Sequence, residues 1–204
     1  KNLVYVFNGD ICDRGDSEGR GGQRALQIWA SVLAFKIAMP DSIFVLRGNH
    51  EDRDYWPQYG AQGFSGEIEA KYVRERAEVD DLLDAFGELC DQLPLAAVIH
   101  ETCLVMHGGL PRCWKNGGNL QELQDLERPL RIPENADSRQ KQLIYDATWA
   151  DPQFDEGLGP NERGGEAISF GPDVTWAVLK SLKLQLFIRS HELPGRSSED
   201  FKGR

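Results

Sequence analysis

The sequence has no long hydrophobic run and few basic residues. Its longest apolar stretches, at residues 29–39 and 93–99, are far shorter than the ~20 residues of a membrane-spanning helix. Lys and Arg number 23 against 33 Asp and Glu, which gives a formal net charge of −10. Because non-specific nucleic-acid binding neutralises phosphates with basic side chains, this balance argues against a nucleic-acid partner. We therefore expect neither a membrane span nor a nucleic-acid-binding protein.

The cysteines show no paired spacing. Four cysteines lie singly and no Cys-x-x-Cys motif occurs, so the sequence signals neither a structural zinc site nor a redox motif. A chain of 204 residues can bury enough surface to fold without disulfides, and we expect reduced thiols. The hydrophobic share of 40% and the charged share of 27% are those of a globular protein.

The beginning of the chain predicts a βαβ unit. Residues 3–7 are an apolar run with β-branched and aromatic side chains that ends in a turn, which indicates a buried strand. Residues 23–39 predict a largely buried helix ended by Pro40, and residues 42–46 predict a second strand. Strands connected in this way lie parallel and adjacent in one sheet.

Further elements follow from periodicity and helix breakers. They are an amphipathic helix over residues 67–93, a hairpin of strands 95–99 and 103–106, loop over most of 126–169 apart from 142–147, a helix over 172–182 and a strand over 184–188. Long loops inside compact domains are usually functional or disordered. The sequence itself therefore supports an α/β protein with one βαβ unit.

Polar side chains that can bind metals follow four of the predicted strands. These groups are Gly9-Asp10, Gly48-Asn49-His50, His107-Gly108 and Ser190-His191. Ligand sites of open α/β sheets gather at the carboxyl ends of strands, and three of the four histidines lie at such ends. A carboxylate, an amide oxygen and imidazoles form a mixed ligand set suited to manganese, iron or zinc. The pattern predicts a site for divalent metal ions.

Three motifs carry a resemblance to a known family. The segments GDICDRG (9–15), LRGNHE (46–51) and HGGL (107–110) resemble the GDxVDRG, LRGNHE and HGGL motifs of the phosphoprotein phosphatase (PPP) family of Ser/Thr protein phosphatases. The segments WADP (149–152), NERG (161–164) and RSHE (189–192) extend the resemblance along nearly the whole chain. It is strongest to the branch that contains protein phosphatase 5 and its EF-hand-bearing relatives.

The resemblance implies a role for each motif residue. The implied metal ligands are Asp10, Asn49, His107 and His191, with Asp10 bridging two divalent ions (manganese, or iron or zinc). The implied catalytic residues are His50, which protonates the leaving oxygen, and Asp13, which orients His50; the implied phosphate-binding residues are Arg14 and Arg163. The implied nucleophile is a metal-activated hydroxide, so that no phosphoenzyme forms.

The resemblance also implies the fold. It is an α/β fold in which two mixed β-sheets pack as a sandwich flanked by helices, the calcineurin-like metallophosphoesterase fold, with residues 1–204 as a single catalytic domain. The family's GDxHG motif, which gives an Asp and a His to the first metal, does not occur in the sequence, and neither does the SAPNY segment. We therefore expect a fold without its first and last strands and a first metal site that lacks ligands.

The expected function is metal-dependent hydrolysis of phosphoserine and phosphothreonine in proteins. Phosphoprotein substrates would be the partners, with regulatory domains or subunits outside this segment, in the cytoplasm and, as a second compartment, the nucleus. Two alternatives stay open: a catalytically inactive pseudophosphatase that binds phosphoproteins or regulators, and a metallophosphoesterase that acts on nucleotides. Small insertions at residues 18–22, 52–63 and 164–168 adjoin the motif loops and are expected to affect substrate access.

Overall fold

The computed structural model describes residues 3–13, 24–71 and 76–192. The strands in these ranges are β1 (Tyr5–Asn8), β2 (Ile43–Leu46), β3 (Ala96–Ile99), β4 (Cys103–Met106), β5 (Asp151–Pro152), β6 (Leu158–Pro160), β7 (Ile168–Phe170) and β8 (Leu186–Ile188). The α-helices are α1 (Ala25–Ala38), α2 (Phe64–Lys71), α3 (Arg76–Gln92), α4 (Leu120–Gln124), α5 (Arg139–Trp149) and α6 (Pro172–Leu182). Short 3-10 helices span Trp56–Gln62 and Arg112–Trp114.

The predicted βαβ unit is confirmed, but the expectation that its first strand is buried is wrong, since Tyr5 of β1 is 51% exposed and the rest of β1 is partly buried. Strands β1 and β2 pair in parallel with Tyr5 opposite Ile43, and α1 connects them. The expectation that this helix is largely buried is wrong: Trp29 and Val32 are buried, but Phe35 is 52% and Ile37 82% exposed. Apolar residues occur all round the helix, whereas the described neighbours cover only one stripe of its surface. A prediction from the number of apolar residues therefore overestimates how much of the helix is buried.

A second sheet has the order β3-β4-β8. Strands β3 and β4 form the predicted antiparallel hairpin, and β8 pairs in parallel with β4. A third sheet, β5-β7-β6, lies in the segment that was expected to be mostly loop, and α5 extends well beyond residues 142–147. Most of residues 126–169 are loop as expected, but the short strands were missed because strands of two or three residues are too short to show an alternating pattern.

The side chains of β4 show how the layers are arranged. Cys103 and Val105 pack with Leu46 of β2 between the first two sheets, whereas Leu104 and Met106 face a core formed with α5 and α6. On the far side of the first sheet, buried side chains of α1, α2 and α3 form a separate core. The first two sheets therefore pack against each other with helices on both outer sides, as the fold class predicted.

The helix predicted over residues 67–93 is described as α2 and α3, on either side of residues 72–75, which are outside the described residues. Helix α6 has the predicted bounds. The four cysteines are free thiols. Among the described helices, none combines the length and the hydrophobicity that a membrane span needs.

Candidate metal centre and active site

The carboxyl ends of β1, β4 and β8 bring three predicted metal ligands together. Asp10 follows β1, His107 follows β4 and His191 follows β8, and their ligand atoms all lie within 4.8 Å of one another. The fourth predicted ligand, Asn49 after β2, places Oδ1 3.2 Å from Nε2 of His107. Parallel pairing of β1 with β2 and of β4 with β8 explains this convergence, since parallel strands end at the same edge.

His107 is fixed in a ligating orientation. Its imidazole is fully buried, and Nδ1 donates a hydrogen bond to the backbone oxygen of Asn8 over 2.6 Å, because a carbonyl can only accept. Nε2 then lies 3.2 Å from Oδ1 of Asp10. Burial alone would lower the pKa of His107, but the hydrogen bond and the charge of Asp10 outweigh burial and raise it. The same pairing lowers the pKa of Asp10 to about 2, against the effect of burial.

His191 carries the clearest sign of a missing partner. Both of its ring nitrogens are buried and find no hydrogen-bond partner among the described residues. Burial, with the positive charge of Arg163, lowers the pKa of His191 to about 3, so the ring is neutral and keeps a lone pair for a ligand. Buried polar atoms are normally paired, and a divalent ion beside Asp10 and His107 would supply the partner. The donor set therefore fits a divalent metal ion.

The backbone is strained where the ligands are held. Asp10 has a φ of 57° and His191 a φ of 68°, both in the left-handed region that non-glycine residues rarely adopt. The loops also approach closely, because a Cβ atom on Gly48 would lie 2.5 Å from Oδ1 of Asp10. Strained and crowded backbone of this kind is typical of functional sites and persists because surrounding contacts enforce it.

His50 and Asp13 form a buried pair beside the metal ligands. Nδ1 of His50 lies 2.8 Å from Oδ2 of Asp13, and both side chains are at most 1% exposed. The other oxygen of Asp13 accepts from the backbone N–H of Phe64 at the start of α2 over 2.6 Å, and the indole of Trp56 donates to the backbone oxygen of His50. The backbone N–H of His50 donates to Oδ1 of Asp10 over 3.2 Å. The imidazole is thus held in place next to the cluster.

Arg163 lies on the other side of the cluster, next to His191. Its Nε donates to Oδ2 of Asp151 over 2.7 Å, and its Nη2 donates to the backbone oxygen of His191 over 3.4 Å. Arg189 donates to the other oxygen of Asp151 over 2.6 Å. Burial alone would raise the pKa of Asp151. The hydrogen bonds that Arg163 and Asn161 donate to its carboxylate outweigh burial and lower the pKa. Arg14, the second predicted phosphate-binding residue, lies outside the described residues.

Sequence reasoning gave no role to several residues that organise this site. Asn8 orients His107, Asp151 holds Arg163, and Glu51 accepts backbone hydrogen bonds from the loop of Asp10. All of them lie in or next to the recognised motifs, so proximity to a motif is the sequence signal that could have identified them. Their function depends on which groups the fold places around them, and residue type alone does not specify that.

The fold and the site define a metallophosphoesterase. Residues 1–195 match the family of calcineurin-like phosphoesterases, so the chain belongs to that family. The expected fold class is confirmed by a solved structure described as a protein serine/threonine phosphatase from Saccharomyces cerevisiae with similarity to human phosphatase PP5. That structure matches with a TM-score of 0.75 and 33% sequence identity over 93% of this chain and 52% of its own.

Curated relatives narrow the likeness to serine/threonine-protein phosphatases. Serine/threonine-protein phosphatase rdgC of Drosophila melanogaster is 35% identical over 197 residues, which cover 92% of this chain and 27% of the relative. Serine/threonine-protein phosphatase 5 of Homo sapiens is 35% identical over 195 residues, 96% of this chain and 34% of the relative. The resemblance seen in the motifs is thereby confirmed. The chain spans about a third of the length of these relatives.

Proposed function

We propose that the chain carries the catalytic site of a metal-dependent phosphatase that hydrolyses phosphoserine and phosphothreonine in proteins. The observation that carries the proposal is the ligand cluster of Asp10, His107 and His191 with the His50–Asp13 pair hydrogen-bonded to its edge. A metal site next to a buried acid–base pair suits the hydrolysis of a phosphate ester, in which one oxygen attacks and another leaves.

The metal ligands would be Asp10, Asn49, His107 and His191, with Asp10 shared by two divalent ions such as manganese, iron or zinc. When bound, these ions activate the attacking water and neutralise charge on the phosphoryl oxygens. The neutral ring of His191 and the fixed Nε2 of His107 need no rearrangement of their rings to take part. The chain thus presents its ligands already aligned, which lowers the cost of ordering them on binding.

His50 would act as the general acid. A serine or threonine alkoxide leaves poorly without a proton, and an imidazole with a carboxylate partner is well suited to supply one. Since Nδ1 of His50 is engaged by Asp13 at 2.8 Å, the proton would pass to the leaving oxygen from Nε2. Asp13, held in turn by the N–H of Phe64, fixes the orientation of the ring.

Arg163 would bind the phosphoryl group with its Nη atoms, and Arg14 would bind it from the opposite loop. The Nε bond to Asp151 and the Nη2 contact to the backbone of His191 keep the guanidinium of Arg163 beside the metal ligands. Charge-assisted bonds from arginine to phosphate are among the stronger hydrogen bonds, and their planar geometry orients the phosphoryl group for attack. Catalysis would proceed in one displacement without a phosphoenzyme.

The relatives described above favour protein substrates over nucleotides, because both are named serine/threonine-protein phosphatases and match over nine-tenths of this chain. Phosphoproteins would then be the partners of the site, and regulatory domains or subunits would lie outside this segment. We place this activity in the cytoplasm and also in the nucleus.

The test is manganese-dependent release of phosphate from phosphoserine and phosphothreonine peptides by the protein in its natural full length, with residues 1–204 run beside it. We expect hydrolysis of the peptides, little hydrolysis of cyclic nucleotides, and loss of activity in Asp10→Asn and His50→Asn. A folded, manganese-loaded protein that binds phosphopeptides without hydrolysing them would contradict the proposal and identify a pseudophosphatase. Preference for nucleotides would contradict the substrate class.

A further inference from the structure

Glu51 is a fully buried carboxylate that accepts four backbone hydrogen bonds. Its Oε2 accepts from the N–H groups of Asp10 over 2.6 Å and of Gly48 over 2.8 Å. Its Oε1 accepts from Ile11 over 2.7 Å and from Cys12 over 3.1 Å. The residue is 0% exposed. Burying a charge is costly unless it is paired, and here N–H donors take the place of water on both oxygens.

The four donors belong to two different loops. Asp10, Ile11 and Cys12 form the loop after β1, and Gly48 belongs to the loop after β2. Each loop supplies a predicted metal ligand, Asp10 from the first and Asn49 from the second. Glu51 is therefore a bridge between the two segments whose relative position sets the ligand geometry.

The bridge bears directly on the strained conformation of Asp10. A left-handed φ of 57° at an aspartate costs free energy and persists only when the surroundings enforce it. The bonds from Glu51 engage the N–H of Asp10 and of the two residues that follow, so they hold the loop at this turn. A Cβ atom on Gly48 would also lie 2.7 Å from Oε2 of Glu51, which shows how closely the loops pack around the carboxylate.

The hydrogen bonds of Glu51 also exclude two other roles for its carboxylate. A carboxylate offers about four lone-pair positions, and four N–H groups already occupy those of Glu51. The four N–H donors favour the anion, because a protonated carboxyl group would direct its O–H against one of them, although burial and the charge of Asp10 raise the pKa of Glu51. Glu51 is therefore neither a metal ligand nor an acid that could reach a substrate.

We propose that Glu51 is a positioning residue, which ties the loop of Asp10 to the loop of Gly48 and thereby sets the metal affinity of the site without contacting the ion. The part of this inference that concerns metal affinity rests on the proposed function, whereas the part that concerns the position of the Asp10 loop rests on the hydrogen bonds alone. Residues that orient metal ligands from outside the coordination sphere typically contribute about 10- to 100-fold to affinity.

The test compares Glu51→Gln with Glu67→Gln. Glutamine keeps the shape of the side chain, but its NH2 group must face N–H donors and the negative charge is lost. Glu67 is a matched control, because it is also buried and accepts from the backbone N–H groups of Ala25 over 2.9 Å and Leu26 over 3.3 Å at the start of α1. Both variants lose a buried carboxylate with backbone partners, and only one of them bridges the ligand loops.

We expect Glu51→Gln to weaken Mn2+ binding by about 10- to 100-fold in a titration followed by electron paramagnetic resonance, with Glu67→Gln within twofold of wild type. In the metal-free protein, hydrogen exchange of the amides of Asp10, Ile11, Cys12 and Gly48 should accelerate in Glu51→Gln alone. Unchanged affinity and exchange in Glu51→Gln would overturn the inference. An equal loss of affinity in both variants would also overturn it, since that result indicates a general loss of stability.

Two further outcomes are decisive. If Glu51→Gln does not fold, Glu51→Asp takes its place: this variant keeps the charge but is one methylene shorter, and it must show faster exchange at Asp10 and Gly48 with wild-type exchange at Ala25. Exchange that is wild-type at all of these amides would refute the inference.

If the wild-type protein binds no Mn2+, the metal part of the proposed function fails, whereas exchange in the metal-free variants still decides whether Glu51 holds the loop.

Discussion

Nε of Arg163 donates to Oδ2 of Asp151 over 2.7 Å, and this bond ties the predicted phosphate-binding residue to the strand β5 that begins at Asp151. Asp151 also accepts from Arg189 and lies 4.0 Å from Nε2 of His191. The buried carboxylate of Asp151 therefore lies between Arg163, the proposed phosphate-binding residue, and His191, a proposed metal ligand. Its charge keeps the arginine in place although the loop that carries Arg163 is largely exposed.

We predict that Asp151→Asn lowers kcat/KM for a phosphoserine peptide by about 10- to 100-fold, the equivalent of a lost hydrogen bond between charged groups. Inhibition by inorganic phosphate should weaken in parallel, because Arg163 loses its anchor. Glu122→Gln is the control, since it breaks a carboxylate–arginine pair with Arg139 away from the site. Unchanged phosphate inhibition in Asp151→Asn would show that the pair does not position Arg163.

The His50–Asp13 pair predicts a dependence on the leaving group. His50→Asn should slow hydrolysis of phosphoserine peptides by about 100-fold or more, as expected for loss of a general acid, while Mn2+ binding stays intact. The loss should be much smaller for p-nitrophenyl phosphate, whose phenolate leaves without a proton. Since both residues act as one unit, His50→Asn/Asp13→Asn should be no slower than His50→Asn, which single-turnover kinetics would measure. Equal losses on both substrates would remove His50 from the role of acid.

The pKa shifts of the two ligating histidines predict how metal binding changes with pH. Asp10 raises the pKa of His107 above its usual value, so protons compete with the metal for His107 as the pH falls towards that raised pKa. His191, with a pKa of about 3, stays neutral over the same range and adds no dependence. We expect the Mn2+ affinity to fall by about tenfold per pH unit below the pKa of His107, with release of about one proton on binding.

Calorimetry of Mn2+ binding in buffers of different ionisation enthalpy between pH 6 and 8 would count that proton. His107→Ala should abolish the pH dependence together with most of the affinity. A flat affinity profile in the wild-type protein would contradict the raised pKa of His107.

The sequence predicted the parts of the fold that depend on strong local patterns. The strands of the βαβ unit and of the β3–β4 hairpin are short apolar runs bounded by turn residues, and α6 begins with Pro172, so their signals are clear. The sheet formed by β5, β6 and β7 was not predictable because its strands are held by tertiary pairing, as in the parallel pairing that places Asp151 opposite Ser169. The exposure of Ile37 on α1 likewise depends on what packs nearby.

Much of the candidate site was also predictable, because strands that end at one edge bring their following residues together. That rule placed Asp10, His107 and His191 in one cluster, which the structure contains. It gave no role to Glu51 or Asp151, since the function of a carboxylate depends on the N–H groups around it. Three of the four N–H donors to Glu51 belong to residues about 40 positions away, a separation that no local pattern reports.

The close approach of Gly48 to Asp10 yields a last prediction. A Cβ atom at Gly48 would lie 2.5 Å from Oδ1 and 2.6 Å from the backbone N of Asp10, distances that real Cβ atoms do not tolerate. Gly48→Ala should therefore push the two loops apart and lower both Mn2+ affinity and the free energy of unfolding, the latter by about 1–3 kcal/mol. Urea unfolding and Mn2+ titration would measure the two effects.

Gly87→Ala is the matched control for this prediction. The atoms nearest to an added Cβ there belong to the guanidinium of Arg53, 2.4 Å away, which is the end of a flexible side chain that can move. Gly87 also lies inside α3, where alanine favours the helix by up to about 1 kcal/mol. We expect Gly87→Ala to be neutral or stabilising, with wild-type Mn2+ affinity. If Gly48→Ala behaved in the same way, the spacing between the loops would not control the metal site.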